Sequence, residues 1–383
     1  MRTKSGLPKR KALRTMPQFE HGFKDNPFTS EYRHPQISGL LTDREKSKNI
    51  SVISMFAGCG GFDLGLLGGF QYSGELYPPL PFRIIRAYEI DPKATSTYSL
   101  NISSDVQTTD LTEIKMQDLP YADVLAGGFP CQDFSSSGTK LGLSGNRGQL
   151  YKVMIEYMLK HKPKVVLAEN VPHLAKMKSG SVLRKILSEF EEVGYDFKVW
   201  NLFCPEYGLS QNRSRIFLVG VRKDLIGEPL IPKPLYKIRY RPIEWAIGDL
   251  ENVFDESIPN QSQYFVATKA TAGAGQGDEQ NTRGKISYCI RANPKARVHF
   301  HYELDRRLTV RECARLQSFP DEFVFPHSAG TNVMQIGNAV PPIIGYHVGK
   351  SIANFFTQLQ LNWPMEIQDR NIRQIQLSFL AEE

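Results

Sequence analysis

Four segments of this chain carry side chains whose chemistry packing alone does not explain. The first is Gly127-Gly128-Phe129-Pro130-Cys131-Gln132. A lone cysteine is usually a small buried hydrophobe. Here two glycines and a proline set Cys131 on an irregular loop, and the polar run Ser135-Ser136-Ser137-Gly138 follows it. A thiolate in such a place is a strong, soft nucleophile. The second segment, Glu169-Asn170-Val171-Pro172, ends an apolar run. Burying an ionised carboxylate there is costly, so its pKa is expected to rise, and a protonated Glu169 can donate to a ring nitrogen. The third, Gln211-Asn212-Arg213-Ser214-Arg215, alternates two guanidiniums into a strand. They can hold a carbonyl oxygen, a phosphate or the Glu169 carboxylate, with a plain surface pair as the bland reading. The fourth is Ser54-Met55-Phe56-Ala57-Gly58-Cys59-Gly60-Gly61-Phe62-Asp63. Its glycines allow a tight turn that a ligand can approach, and Glu89, ending the next apolar run, can bridge two ribose hydroxyls. A dinucleotide fingerprint needs glycine three positions after Gly60, where Asp63 stands. NAD and FAD are disfavoured, and a nucleoside ligand is kept.

These segments need a frame that gathers them. Short β-branched or apolar runs occur at 50–56, 84–89, 123–127, 165–169 and 215–221, with helix-length stretches at 149–161 and 181–193 between them. Strands alternating with helices predict an α/β fold, a mostly parallel sheet covered on both faces. Ligands on such sheets bind beyond the strand C-termini, where the four segments fall. After Arg222 the pattern stops, and residues 223–303 are rich in Pro, Gly and polar side chains. Helical texture returns at 309–318 and 342–356. The sequence thus reads as a basic extension (1–48), a catalytic and cofactor-binding domain (49–222), a small domain with hinge (223–330), and a C-terminal segment completing the catalytic domain (331–383).

Composition sets the outer limits. The hydrophobic share of 41% and charged share of 23% are those of a soluble globular protein, and no apolar run suits a membrane span. Five scattered cysteines lack the close pairing of zinc ligands or a disulfide framework, so no metal is expected and a reducing cytoplasm fits. Of the net charge of +7, +6 lies in residues 1–48, where eleven Lys/Arg face five Asp/Glu. Such an arm favours a polyanion, although a solvated tail would look the same.

Taken in order, the four segments are followed by Arg307-Leu308-Thr309-Val310-Arg311-Glu312-Cys313-Ala314-Arg315-Leu316-Gln317-Ser318-Phe319-Pro320 and Gln335-Ile336-Gly337-Asn338-Ala339-Val340-Pro341-Pro342. Together they resemble the DNA (cytosine-5) methyltransferase family, over roughly residues 50–222 and 304–360. The resemblance implies the Rossmann-like sheet of class I S-adenosylmethionine-dependent methyltransferases with a small target-recognition domain. It implies S-adenosylmethionine as cofactor, S-adenosylhomocysteine as product, and contacts from Phe56, Gly58, Gly60, Gly61, Glu89 (ribose), Asp110 (adenine amino group), Pro130 and Asn338. Cys131 becomes the nucleophile that adds to carbon 6 of cytosine, Glu169 the acid at ring nitrogen 3, and Arg215, paired with Arg213, the holder of the ring carbonyl. Such chemistry needs the base flipped out of double-stranded DNA. The compact layout resembles a prokaryotic restriction-modification enzyme: monomeric, cytoplasmic, and paired with a cognate endonuclease.

The small domain departs from the family. Where members often carry Thr followed by an aliphatic residue, this chain has Ser287-Tyr288-Cys289-Ile290-Arg291. Ser137, Gln276 (to fill the hole left by a flipped base) and Arg291 (to read a base edge) are the expected DNA contacts. Arg283, Lys285, Lys295 and Arg297 are further candidates for phosphates or guanine edges. Two other readings stand beside this one: a tRNA cytosine-5 methyltransferase, and an inactive nucleic-acid-binding module. Phe-Pro-Cys rather than Pro-Pro-Cys speaks against the first, and intact Cys131, Glu169 and Arg215 against the second.

Overall fold

The computed structural model describes residues 50–130, 150–251, 262–264, 279–293 and 299–361. In chain order the elements are β1 (Ile50–Met55), α1 (Gly61–Leu67), the hairpin strands β2 (Phe70–Tyr72) and β3 (Glu75–Tyr77), and β4 (Phe82–Glu89). Next come α2 (Pro92–Asn101), β5 (Val106–Thr108), β6 (Val124–Gly127), α3 (Tyr151–His161) and β7 (Val165–Asn170). Then follow α4 (Ser181–Glu192), β8 (Tyr195–Phe203), β9 (Ser214–Arg222), α5 (Ile243–Ile247), α6 (Val310–Leu316), α7 (Ala329–Asn338) and α8 (Pro342–Leu361).

Seven strands form one sheet in the order β5-β4-β1-β6-β7-β9-β8. Pairings β1–β4, β1–β6, β4–β5 and β6–β7 are parallel, and β9 runs antiparallel to both β7 and β8. From β1 the chain first builds outward through β4 and β5, then returns to add β6 on the other side. The order therefore reverses between β1 and β6, which opens a crevice beyond their carboxyl ends. The Gly-rich turn leaves β1 and the Pro130 segment leaves β6, so both face that crevice.

Strand β7 shows why these residues sit centrally. Val165–Asn170 is buried throughout, as an apolar run covered on both faces should be. Val165 and Leu167 join one core with Val52, Val124, Phe217 and Val219, and with Phe62 of α1 and Ile344, Val348 and Ile352 of α8. Val166 and Ala168 join the other, with Ile53, Leu125 and Leu218, Tyr157 of α3, and Ile186 and Phe190 of α4. Helix α4 meets its core through Val182, Leu183, Ile186 and Phe190, one face of an otherwise polar helix. Helix α6 starts at a capping box in which Thr309 Oγ1 accepts from Glu312 N and the Glu312 carboxylate accepts from Thr309 N. Among the described residues, no helix is long and apolar enough to cross a membrane.

Candidate active site

The turn after β1 is held in a conformation that its sequence does not favour without help. Phe56 (φ 56°), Gly58 (φ 57°) and Gly60 (φ 94°) are all left-handed. Glycine adopts this freely, whereas at Phe56 it costs about 1–2 kcal/mol. The turn is fixed from β4: Ala57 N donates to the Tyr88 carbonyl at 3.0 Å and Gly58 N to Glu89 Oε2 at 2.7 Å. Glu89 Oε1 accepts from Ile90 N and Asp91 N, each at 2.9 Å. The carboxylate expected to meet ribose hydroxyls is thus also the latch of the glycine turn. A carboxylate offers about four acceptor positions, so the three backbone donors leave room for another partner.

Glu89 lies opposite Thr108 in the β4–β5 register, and Thr109 N donates to the Glu89 carbonyl at 2.8 Å. This brings Asp110 to the same sheet edge, where its Oδ1 accepts from Thr112 N and Oγ1. Beneath the turn, Asp63 is buried in the first turn of α1 and accepts from Ser54 Oγ and Tyr98 OH, both at 2.8 Å. Burial pushes its pKa up to about 6. On the turn's far side, a Cβ added at Gly61 would stand 2.5 Å from the Val340 carbonyl oxygen and 3.1 Å from Ala339 Cβ. The absence of a side chain at Gly61 therefore lets the segment after α7 press on the turn, with Asn338 exposed at its start.

The second half of the site lies beyond β6 and β7. Glu169 Oε1 meets Arg215 Nε at 2.7 Å, with both side chains 11% exposed. Burial raises the Glu169 pKa above the usual carboxylate range, against the opposing charges of Arg215 and Arg213. A Cβ at Gly128 would lie 2.9 Å from Glu169 Oε2, so the carboxyl sits directly against the segment leading into Phe129 and Pro130. Asn170 Nδ2 donates to the Phe129 carbonyl at 3.0 Å and ties that segment to β7. Cys131 and Ser137 lie outside the described residues. Arg213 is placed differently from Arg215. It is 2% exposed and donates to the carbonyls of Ile290 (3.1 Å), Gly337 (2.9 Å) and Ala339 (2.8 Å). Burial lowers its pKa to about 10, which leaves it charged at neutral pH.

With this geometry in place, comparison with known proteins is direct. The profile of C-5 cytosine-specific DNA methylases matches residues 50–288 and 255–354. The chain belongs to this family. It is 31% identical over 339 residues to the type II methyltransferase M.FnuDI of Fusobacterium nucleatum, covering 80% of this chain and 95% of that protein. It is 31% identical over 353 residues to the type II methyltransferase M.NgoFVII of Neisseria gonorrhoeae, covering 84% and 90% respectively. A solved structure of the S. pombe Dnmt2 methyltransferase superposes with a TM-score of 0.55 at 16% identity, over 80% of this chain and 99% of that one, which speaks to the fold.

In this C-5 cytosine methyltransferase the Ser287–Arg291 segment is held against the catalytic sheet edge. Gln211 bridges to Ser287, Asn212 N donates to the Ser287 carbonyl at 2.8 Å, and Ser287 N to the Ser210 carbonyl at 2.9 Å. Arg291 is exposed, and its backbone N–H donates to His299 Nε2 at 3.0 Å. Gln276, Lys295 and Arg297 lie outside the described residues. Arg283 pairs with Glu303 and Glu251 and stacks over Tyr302. Sequence reasoning gave no role to Asn170, Gln211 or Gln317. Each was a polar residue inside a quoted motif, which was the only available signal.

Proposed function

We propose that this enzyme methylates carbon 5 of a flipped-out cytosine in a specific double-stranded DNA sequence, through a covalent bond between Cys131 and carbon 6. The observation that carries the reading is the Glu169–Arg215 pair: a carboxyl with a raised pKa, at the crevice edge, in contact with the segment that leads into Cys131.

The crevice fits S-adenosylmethionine. The left-handed turn at Phe56, Gly58 and Gly60, the Glu89 carboxylate and the Asp110 carboxylate share one sheet edge. Gly61 lets Asn338 and its neighbours approach from the other side. When bound, the cofactor supplies an electrophilic methyl group. Glu89 would hold the ribose hydroxyls, Asp110 the adenine amino group, and Pro130 would border the site.

Cytosine carbon 5 is a poor nucleophile. As the Cys131 thiolate bonds to carbon 6, the ring's electrons shift and nitrogen 3 takes the Glu169 proton. Carbon 5 is left as an enamine carbon. Arg215, already fixed by Glu169, would hold the ring carbonyl, while Arg213 supports the site by holding the main chain around it. Carbon 5 would then be nucleophilic enough to accept the methyl group that the bound cofactor supplies. Loss of its proton to a base rebuilds the 5,6 double bond, drives Cys131 out as a thiolate, and returns the nitrogen 3 proton to Glu169. Acting as a monomer in the cytoplasm, the enzyme would protect DNA from a partner endonuclease, the pairing that restriction-modification implies.

The test has two steps. Bisulfite sequencing of DNA from cells expressing the protein identifies the target, and a duplex with 5-fluorocytosine at that position is then offered together with S-adenosylmethionine. Fluorine cannot leave as a proton does, so a stable adduct is expected on Cys131, and Cys131→Ser should give neither adduct nor turnover. Burial pushes the thiols of Cys59 and Cys204 up to about 12, which makes them poor competing nucleophiles. An adduct mapped to any cysteine but Cys131 refutes the assignment.

A further inference from the structure

A buried polar junction joins the cofactor turn to the recognition segment. Its centre is the Ala339 carbonyl, which accepts from Arg213 Nη2 at 2.8 Å and from Gln317 Nε2 at 2.7 Å. Gln317 Oε1 accepts from Gln211 Nε2 at 2.7 Å, and Gln211 Oε1 accepts from Ile290 N at 2.9 Å. Both glutamines are fully buried. The chain of bonds therefore runs from Ile290, beside Arg291, through two side-chain amides to Ala339, which packs on Gly61 of the glycine turn.

The two ends are also in van der Waals contact. A Cβ at Gly337 would stand 2.7 Å from Ala292 Cα, so α7 and the recognition segment meet backbone to backbone. Four segments far apart in sequence (210–213, 287–292, 316–318 and 337–340) are thereby fixed to one another. Each amide donates at one end and accepts at the other, so displacing Ile290 must strain or break a bond that holds Ala339. Buried networks respond in this all-or-none way because leaving a member unpaired is costly.

We propose that Gln317, acting with Gln211, is a positioning residue that couples cofactor binding to DNA binding. The segment pressing on the glycine turn and the segment presenting Arg291 would move as one body. Cofactor that fixes the first then pre-orders the second, and DNA that fixes the second pre-orders the first. The reading rests on the function proposed above. By linkage the two effects are equal in size, and such couplings are typically about 5–150-fold.

The experiment uses the full chain, S-adenosylhomocysteine, and the unmethylated duplex identified by bisulfite sequencing. Calorimetry gives the S-adenosylhomocysteine affinity with and without duplex, and the ratio is the coupling factor. Gln317→Met keeps the volume and removes both bonds. Its affinity without DNA should stay within about twofold of wild type, and its coupling factor should fall severalfold below that of wild type, the remainder being carried by Arg213, which also joins Ile290 to Ala339. Gln317→Glu supplies a readout that a merely structural role would not move. Protonated, it can donate to the Ala339 carbonyl; ionised, it opposes that oxygen. Its coupling should therefore rise as pH falls, while wild-type coupling does not follow that titration. A wild-type coupling factor in Gln317→Met, or a pH-invariant one in Gln317→Glu, overturns the proposal. If Gln317→Met fails to unfold cooperatively, Gln317→Glu decides alone. A wild-type protein that neither binds S-adenosylhomocysteine nor methylates would instead refute the function itself.

Discussion

Removing the Glu89 carboxylate should do two separable things. In the ligand-free protein, Glu89→Ala takes away the acceptor of Gly58 N and of the Ile90 and Asp91 amides. Ile90 is exposed, so water replaces that bond at small cost. Gly58 N lies in a partly buried turn, 2.7 Å from a charged acceptor, and losing a bond of that kind costs about 1.5–3 kcal/mol. The left-handed Phe56 is then less firmly held. Since about 1 kcal/mol moves Tm by roughly 2–4 °C in a domain of 150–250 residues, a drop of several degrees is expected before any ligand is added.

The second effect is on the cofactor. If the same carboxylate holds the ribose hydroxyls, its loss removes a further ~1.5–3 kcal/mol, about ten- to a hundred-fold in affinity. Glu89→Gln keeps one oxygen but turns an NH2 toward either Gly58 N or the Ile90 and Asp91 amides, so it should not restore the latch. Differential scanning calorimetry of the ligand-free variants reads the first effect, and isothermal titration with S-adenosylhomocysteine reads the second. An unchanged Tm would refute the latch, whereas an unchanged affinity would show that another acid binds the ribose.

Two other perturbations follow from the site. Asp63 should make stability pH-dependent: its carboxyl ionises near 3.8 when unfolded and about 6 when folded, so the folded state holds the extra proton between these values. Stability then falls as pH rises through that window, by about 3 kcal/mol in total. Asp63→Asn should remove the dependence, and equal pH slopes of unfolding for both proteins would refute the account. Arg291→Ala should relax preference at one base pair by about 1–3 kcal/mol, while Lys295→Ala should slow all sequences alike and lower the salt slope. Methylation profiles over a randomised duplex library separate the two, and uniform slowing by Arg291→Ala would leave only a phosphate role.

The central sheet was legible because its strands are apolar runs. Strands β1, β4, β6, β7 and β9 and helices α3, α4, α6 and α8 fall where periodicity puts them. The sequence reading did not pick out β8, an edge strand in which Tyr195, Phe197 and Val199 alternate with Asp196 and Lys198 instead of forming the continuous apolar run that marks the central strands. It also missed α2, because Thr95, Ser96, Thr97 and Ser99 favour helix weakly. That helix forms because Asp91 caps it and Pro92 starts it, and because tertiary bonds such as Thr97 Oγ1 to Gln335 Oε1 hold it from outside. The hairpin β2–β3 is three residues per strand, too short to show alternation, and its Ser73-Gly74 turn was the one available cue.

Residues that act on a substrate and residues that hold the site read alike in sequence, and the arginine pair shows why. Two positions apart on a strand, Arg213 and Arg215 should point the same way and share a target. Strand β9, however, begins only at Ser214. Arg213, just before it, turns its guanidinium into the carbonyls of Ile290, Gly337 and Ala339, which lie 77 to 126 residues further along the chain. Arg215, inside the ladder opposite Leu202, meets Glu169 on the neighbouring strand β7. No local pattern encodes acceptors so distant, because they exist only once α7 and the 287–292 segment have come back to the sheet. The same holds for Gln211 and Gln317. Their burial is tolerable only because each amide finds partners on other segments, so a polar side chain inside a motif marks either chemistry or assembly. Which of the two it marks is decided by whether its partners within the protein leave a donor or acceptor open toward the crevice, as the three backbone donors on Glu89 do.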